Sequence, residues 1–145
     1  METPTSTREI VVSYFAAWNA HDPTAVAEHF ALHGVRHWRV VNNPALHSPD
    51  RFEGPAAIAE GVKAFMDTVP DLRVELGVYA ETDEGAVFEW TCVGTHTGAW
   101  GDWPGQGELL ELPGVSIVRI ADGKIFEERM YFDPDMMARN WRPPA

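Results

Sequence analysis

The sequence predicts an α+β domain: a cone-shaped, curved sheet of mixed or antiparallel strands wrapped around three N-terminal helices. Three observations carry this expectation. Helical periodicity dominates the chain up to Pro70, period two dominates from Leu72 onward, and the two regimes are segregated rather than interleaved. A length of 145 residues, 45% of them hydrophobic and 23% charged, is that of one domain with a core of its own. Residues 1–6, rich in Thr, Ser and Pro, are expected to be loose.

The first helix is expected from Ser6 or Thr7, either of which can act as N-cap, to about Ala20. Ile10, Val11, Tyr14, Phe15 and Trp18 form its apolar face. Asp22-Pro23 ends it and starts a second helix, with Asp22 as cap and Pro23 in the first turn; Val26 and Phe30 carry this helix to about Leu32. A strand over Val35–Val41 follows, then a loop from Asn42 to Glu53 punctuated by Pro44 and Pro49. Gly54-Pro55 opens a third helix, in which Ile58, Val62, Phe65 and Met66 recur at helical spacing until Pro70.

The strands come next. Leu72, Val74, Leu76 and Val78 alternate with polar or small residues, Thr82–Gly85 makes a turn, and Phe88, Trp90 and Cys92 alternate in a second strand. After an irregular Gly/Trp-rich stretch to Gly107, a strand is expected over Glu108–Ile120. Asp122-Gly123 tolerates positive φ and fits a tight hairpin leading to a last strand, Ile125–Phe132. Met136–Trp141 has the pattern of a short terminal helix.

Composition excludes several functions. Eleven Lys and Arg against 22 Asp and Glu leave a net charge of −11, which opposes a phosphate backbone, and no basic patch offsets it. No apolar run is long enough for a membrane helix. Met1–Glu9 lacks a secretory pattern, so a cytoplasmic location is expected. The single Cys92 starts neither a disulfide nor a thiolate metal site. His29 and His33, four apart, lack the further ligands a metal needs, and His21 fits a capping or packing role. No phosphate loop, nucleophile elbow or zinc-helix motif is present, so neither a metal nor another cofactor is expected. Six Trp and seven Phe point to an aromatic interior, either a dense core or an apolar pocket.

Strand parity then exposes an anomaly. Phe126, Met130 and Phe132 share the inward face of the last strand, and Glu128 lies among them. A buried carboxylate costs several kcal/mol unless paired, and in a pocket it is a candidate general acid or base. The alternative reading is pairing with a helix-borne Arg, or a wet sheet end. The parity of Phe88, Trp90 and Cys92 extends to His96, which would reach the cavity mouth or belong to a loop. On the early strand Arg36, Trp38, Val40 and Asn42 share a face. Asn42 is a candidate to orient a water or a carbonyl, or else simply forms a turn with Asn43 and Pro44. Cys92 reads as a small buried apolar group.

The blocks Phe52–Ile58, Pro70–Val74, Gly94-Thr95-His96-Thr97-Gly98 and Asp122–Ile125 resemble the SnoaL-like polyketide cyclase family, of the nuclear transport factor 2-like superfamily. The resemblance implies a cone with an apolar pocket between sheet and helices. It also implies a homodimer formed through the outer sheet face, here Glu89, Thr91, Arg129 and Tyr131. Cyclases of the family use a pocket Asp on the last strand, and its place is taken here by Met130, which transfers no proton. A fold relative, limonene epoxide hydrolase, has an Arg and a second Asp where Trp90 and Cys92 stand, so its constellation is not present.

The expected function is therefore cofactor-independent proton-transfer chemistry, of the aldol-cyclisation, isomerisation or dehydration type, on a hydrophobic polyketide-like molecule. Glu128, His96 and Asn42 are the candidate catalytic residues. Trp18, Trp38, Val40, Phe88, Trp90, Trp100, Trp103, Phe126 and Met130 are the candidate substrate contacts. The alternative is a binding or accessory protein that uses the same pocket without chemistry; a third is a structural subunit with a solid core.

Overall fold

A computed structural model describes residues 5–38, 51–100 and 103–133. Val40, Asn42 and the expected terminal helix at Met136–Trp141 lie outside the described residues.

Local sequence accounts for the helix starts. Helix α1, Thr7–Asn19, is capped by Ser6, whose side chain accepts from the Glu9 amide. Its buried residues, Ile10, Val11, Tyr14, Phe15, Ala17 and Trp18, form the expected apolar face. Helix α2, Pro23–Ala27, is capped by Asp22, which accepts from the Ala25 amide, but it is a single turn. The chain turns at Glu28–His29 and Phe30–Trp38 forms strand β1, so the expected helix to Leu32 is corrected to a strand start. The short strand β2, Arg51–Glu53, occupies what reads as loop and pairs antiparallel with β1. Helix α3, Pro55–Thr68, begins after Gly54 at φ 84°, a left-handed conformation that glycine adopts without penalty.

The remaining strands are β3 Arg73–Glu81, β4 Gly85–His96, β5 Glu108–Ala121 and β6 Lys124–Phe132. They form a mixed sheet in the order β2-β1-β6-β5-β4-β3, in which β1 runs parallel to β6 and the other pairs are antiparallel. Asp122 and Gly123, both at positive φ, make the β5–β6 turn. One face of the sheet packs under the helices. Its residues include Phe88, Trp90 and Cys92 from β4 and Leu110, Leu112, Ser116 and Val118 from β5.

Two irregularities re-aim side chains that strict alternation turns inward. Between Leu76–Trp90 and Tyr79–Phe88, two residues of β3 oppose Glu89 alone. Beyond this bulge the parity inverts: Val78 is 69% exposed and Tyr79 turns toward the core. Between Arg119–Glu127 and Ile120–Ile125, Phe126 is the extra residue of β6. Ile125 is consequently buried, and Phe126 lies under the Arg119 guanidinium, 4.7 Å from its ring centroid. The inward reading therefore holds for Glu128, Met130 and Phe132 and is corrected for Val78 and Phe126.

Candidate functional site

Parity holds where it matters most. Glu128 points beneath the helices and is 3% exposed. It borders a cavity between α1, α3 and the inner face of the sheet, with about 660 Å³ of atom-free space, open solvent at its mouth included. The walls are mainly aromatic and aliphatic, the usual character of a small-molecule site. Trp18, Trp38, Phe88, Trp90 and Met130 all line the cavity. Phe126 does not, for the register reason given above. Phe15, Phe65, Leu72 and Phe132 complete much of the apolar wall.

Three side chains make the polar centre. The Tyr14 hydroxyl donates to Glu128 Oε1 at 2.6 Å, and Arg36 Nε donates to the same oxygen at 3.3 Å. Glu128 Oε2 accepts no hydrogen bond among the described residues. Arg36 is 7% exposed; its Nη2 approaches Met130 Sδ at 3.2 Å and its guanidinium lies 5.0 Å from the Trp18 ring. The Arg partner is thus borne by strand β1, not by a helix as one reading of Glu128 has it. Burial, with the Glu128 charge beside it, pushes the Tyr14 phenol far above its ordinary value, so it stays protonated and donates to Glu128. Burial alone pushes the lining thiol of Cys92 up to about 12, so it behaves as an apolar group.

Neither Tyr14 nor Arg36 stands among the expected catalytic residues. Each carried a signal. A tyrosine on a buried helix face needs a partner for its hydroxyl, and Arg36 alternates with Trp38 on an inward strand face as Glu128 does between apolar residues.

His96 lies apart from the cavity. It is completely buried at the end of β4, where its Nδ1 is 2.9 Å from Glu108 Oε2 at the start of β5. The expected approach of His96 to the cavity mouth is corrected: His96 is not among the residues that line the cavity, and its ring pairs with Glu108. Trp100 reaches cavity-lining residues instead. Trp100 stacks on Trp38 with centroids 6.0 Å apart and meets Phe65 edge-on at 5.9 Å. Trp103 pairs with Trp100 through two 2.8 Å backbone hydrogen bonds. Of the other histidines, His29 contacts Ser13 and the Ala25 carbonyl, and His21 the Leu72 carbonyl. Among the described residues no group of His, Cys, Asp and Glu is arranged to hold a metal. No helix among them is long and apolar enough to cross a membrane.

A family profile described as SnoaL-like polyketide cyclase matches residues 8–140. The chain belongs to the SnoaL-like polyketide cyclase family. No curated protein sequence matches it. Among solved structures, this SnoaL-like chain is similar to a phenazine biosynthesis-related protein (phzb2) from Pseudomonas aeruginosa. The TM-score is 0.74 at 22% identity, covering 96% of this chain and 86% of the other. It is also similar to IdmH from Streptomyces antibioticus, a candidate polyketide cyclase, with a TM-score of 0.72 at 21% identity over 92% and 96% of the two chains. A protein of ketosteroid isomerase-like fold from Catenulispora acidiphila gives 0.76 at 18% identity over 96% of each. Likeness at this identity concerns the fold, which hosts many chemistries.

Proposed function

We propose that this SnoaL-like protein performs cofactor-independent proton transfer on a hydrophobic, polyketide-like small molecule, by aldol-type cyclisation, isomerisation or dehydration. The observation that carries the reading is Glu128: a buried carboxylate with one oxygen held by Tyr14 and Arg36 and the other unbonded among the described residues, beside an aromatic cavity. Arg36 compensates its charge and Tyr14 fixes its plane, so the second oxygen is held where a substrate proton can be taken and returned. Trp18, Trp38, Phe88, Trp90 and Met130 hold the substrate, with Trp100 and Trp103 at the rim. His96 ties β4 to β5 in this reading, and Asn42 is the candidate to orient a water or a carbonyl. A homodimer in the cytoplasm belongs to the same proposal.

Met130, at the place of the family's usual acid, favours a second reading, a protein that binds such molecules without converting them. Exchange of the C1 hydrogens of 2-tetralone in D2O, followed by NMR, separates the two. Catalysed exchange above the buffer rate, falling about 10²-fold or more in Glu128→Gln, supports the enzyme. Saturable quenching of tryptophan fluorescence without exchange supports the binder. Equal exchange by wild type and Glu128→Gln removes Glu128 from the chemistry.

A further inference from the structure

Arg36 is poorly served by the protein around it. A guanidinium carries five N–H donors in a planar fork that suits two oxygens at once. Here Nε reaches one carboxylate oxygen at 3.3 Å, Nη2 is spent on a thioether sulfur, and Nη1 has no acceptor among the described residues. The group is 7% exposed and borders the cavity, so the residual accessibility faces the space a ligand would enter. Thioether sulfur is a weak acceptor on a flexible side chain, and Met130 is easily displaced by an oxygen.

We propose that Arg36 is the binding and positioning residue for an acidic oxygen of the ligand, and that it exchanges Glu128 for that oxygen during proton transfer. The ligand class is a planar apolar carbon acid, a ketone or 1,3-dicarbonyl whose enolate oxygen settles on the Nη atoms. This deepens the proton-transfer reading and rests on it. In the step, a C–H bond next to the carbonyl breaks and its proton forms an O–H bond on Glu128 Oε2. The released electron pair forms a carbon–carbon double bond and displaces the carbonyl π pair onto oxygen. Before the step the site holds Arg36⁺ and Glu128⁻; after it, Arg36⁺, the enolate and neutral Glu128. The number of buried charges is unchanged, so the reaction creates no new desolvation cost. The Trp18 face, 5.0 Å from the guanidinium, holds Arg36 in place while its anionic partner changes. Among the described residues, the titratable side chains lining the cavity are Tyr14, Arg36, Cys92 and Glu128. Tyr14 and Cys92 are both held protonated by burial, which leaves Glu128 as the group to take up the proton.

Two unreactive probes of the same shape test the assignment: 2-naphthoate, which presents an anionic oxygen pair, and naphthalene, which presents none. Isothermal titration is run at pH 7 in buffers of different ionisation enthalpy. In the wild type, naphthoate binding should take up close to one proton, because two carboxylates sharing one cation retain a proton between them. Glu128→Gln should abolish the uptake and bind naphthoate at least as tightly. Arg36→Met should weaken naphthoate at least tenfold while naphthalene changes less than twofold. Since Arg36→Met strands a buried carboxylate, the double variant Arg36→Met/Glu128→Gln, with no charge left in the site, provides the same comparison if the single one does not fold. Naphthoate binding that is indifferent to Arg36, or without proton uptake in the wild type, overturns the exchange. Naphthalene binding without naphthoate binding also overturns it and leaves the apolar pocket standing. Binding of neither probe overturns it together with the pocket reading. Failure of 2-tetralone exchange with these binding results intact overturns the proton-transfer reading and leaves Arg36 as an anion-binding residue.

Discussion

The phenol of Tyr14 donates a 2.6 Å hydrogen bond to Glu128 Oε1, joining helix α1 to strand β6 across 114 positions of sequence. Both groups are buried, so neither has bulk water as a substitute. A hydrogen bond to a charged acceptor contributes about 1.5–3 kcal/mol, and a stranded buried acceptor adds its desolvation cost. Tyr14→Phe keeps the ring and removes the donor. It should lower the free energy of unfolding in urea by about 2 kcal/mol with little change in the slope. An unchanged midpoint would show that the bond contributes nothing to stability.

The same phenol makes the protein sensitive to alkali. Its folded value is raised well above the unfolded one near 10. Above pH 10 the unfolded chain releases this proton and the folded protein keeps it, so stability declines as pH rises, by up to about 1.4 kcal/mol per unit. Cys92, raised from 9.0 to about 12, adds a decline of the same sign between those values. The stabilities of wild type and Tyr14→Phe should therefore converge as pH climbs beyond 10. Parallel curves would mean that the phenol ionises as readily folded as unfolded.

Cys92 also reports on opening. It is 4% exposed, and its protonated form is favoured by burial. Iodoacetamide at pH 8 should label it only as fast as the fold opens, orders of magnitude more slowly than in urea-unfolded protein. Comparable labelling rates in the two states would place the thiol within reach of solvent in the native protein.

The sequence made the α+β class legible because two periodicities occupy separate halves of the chain, and Glu128 because a lone carboxylate interrupts an apolar alternation. It misleads at Val78 and Phe126, where a bulge shifts parity by one residue; in β3 Gly77, a lone glycine in the strand pattern, marks the bulge, whereas no residue type marks it in β6. The second helix reads too long because Phe30 continues its apolar spacing. What ends it is the parallel pairing of Phe30 with Ile125, a contact between distant parts of the chain. Likewise, no local pattern brings Arg36 beside Glu128. That neighbourhood follows from β1 lying parallel to β6 with these two residues in register.

The wall of the cavity should tolerate little added volume at Gly114. A Cβ there would lie 2.2 Å from Cζ2 of Trp90, whose Nε1 donates to buried Ser116 at 2.9 Å. The indole cannot retreat without losing that bond. Gly114→Ala should therefore destabilise by about 1–3 kcal/mol and drive Trp90 into the cavity, weakening naphthalene binding. Ser116→Ala leaves the indole N–H unsatisfied and should cost about 1–3 kcal/mol without crowding the cavity. Calorimetry of both variants separates crowding from hydrogen-bond loss. If Gly114→Ala binds naphthalene as well as wild type does, Trp90 does not form a fixed wall.

Trp100 should control how fast a ligand leaves. It reaches Trp38 and Phe65, both cavity-lining residues, from the segment between β4 and β5, and its two backbone hydrogen bonds to Trp103 hold that segment closed on itself. Trp100→Leu keeps an apolar side chain but removes the plane stacked on Trp38, a contact of about 0.5–1.5 kcal/mol beyond burial. Because the stack involves none of Tyr14, Arg36 and Glu128, its loss should act on release more than on chemistry. Stopped-flow dissociation of naphthalene should become roughly two- to thirteenfold faster, as that energy range implies, while single-turnover exchange of 2-tetralone changes little. The opposite pattern, slower exchange with unchanged release, would move Trp100 from the rim of the site to its reacting centre.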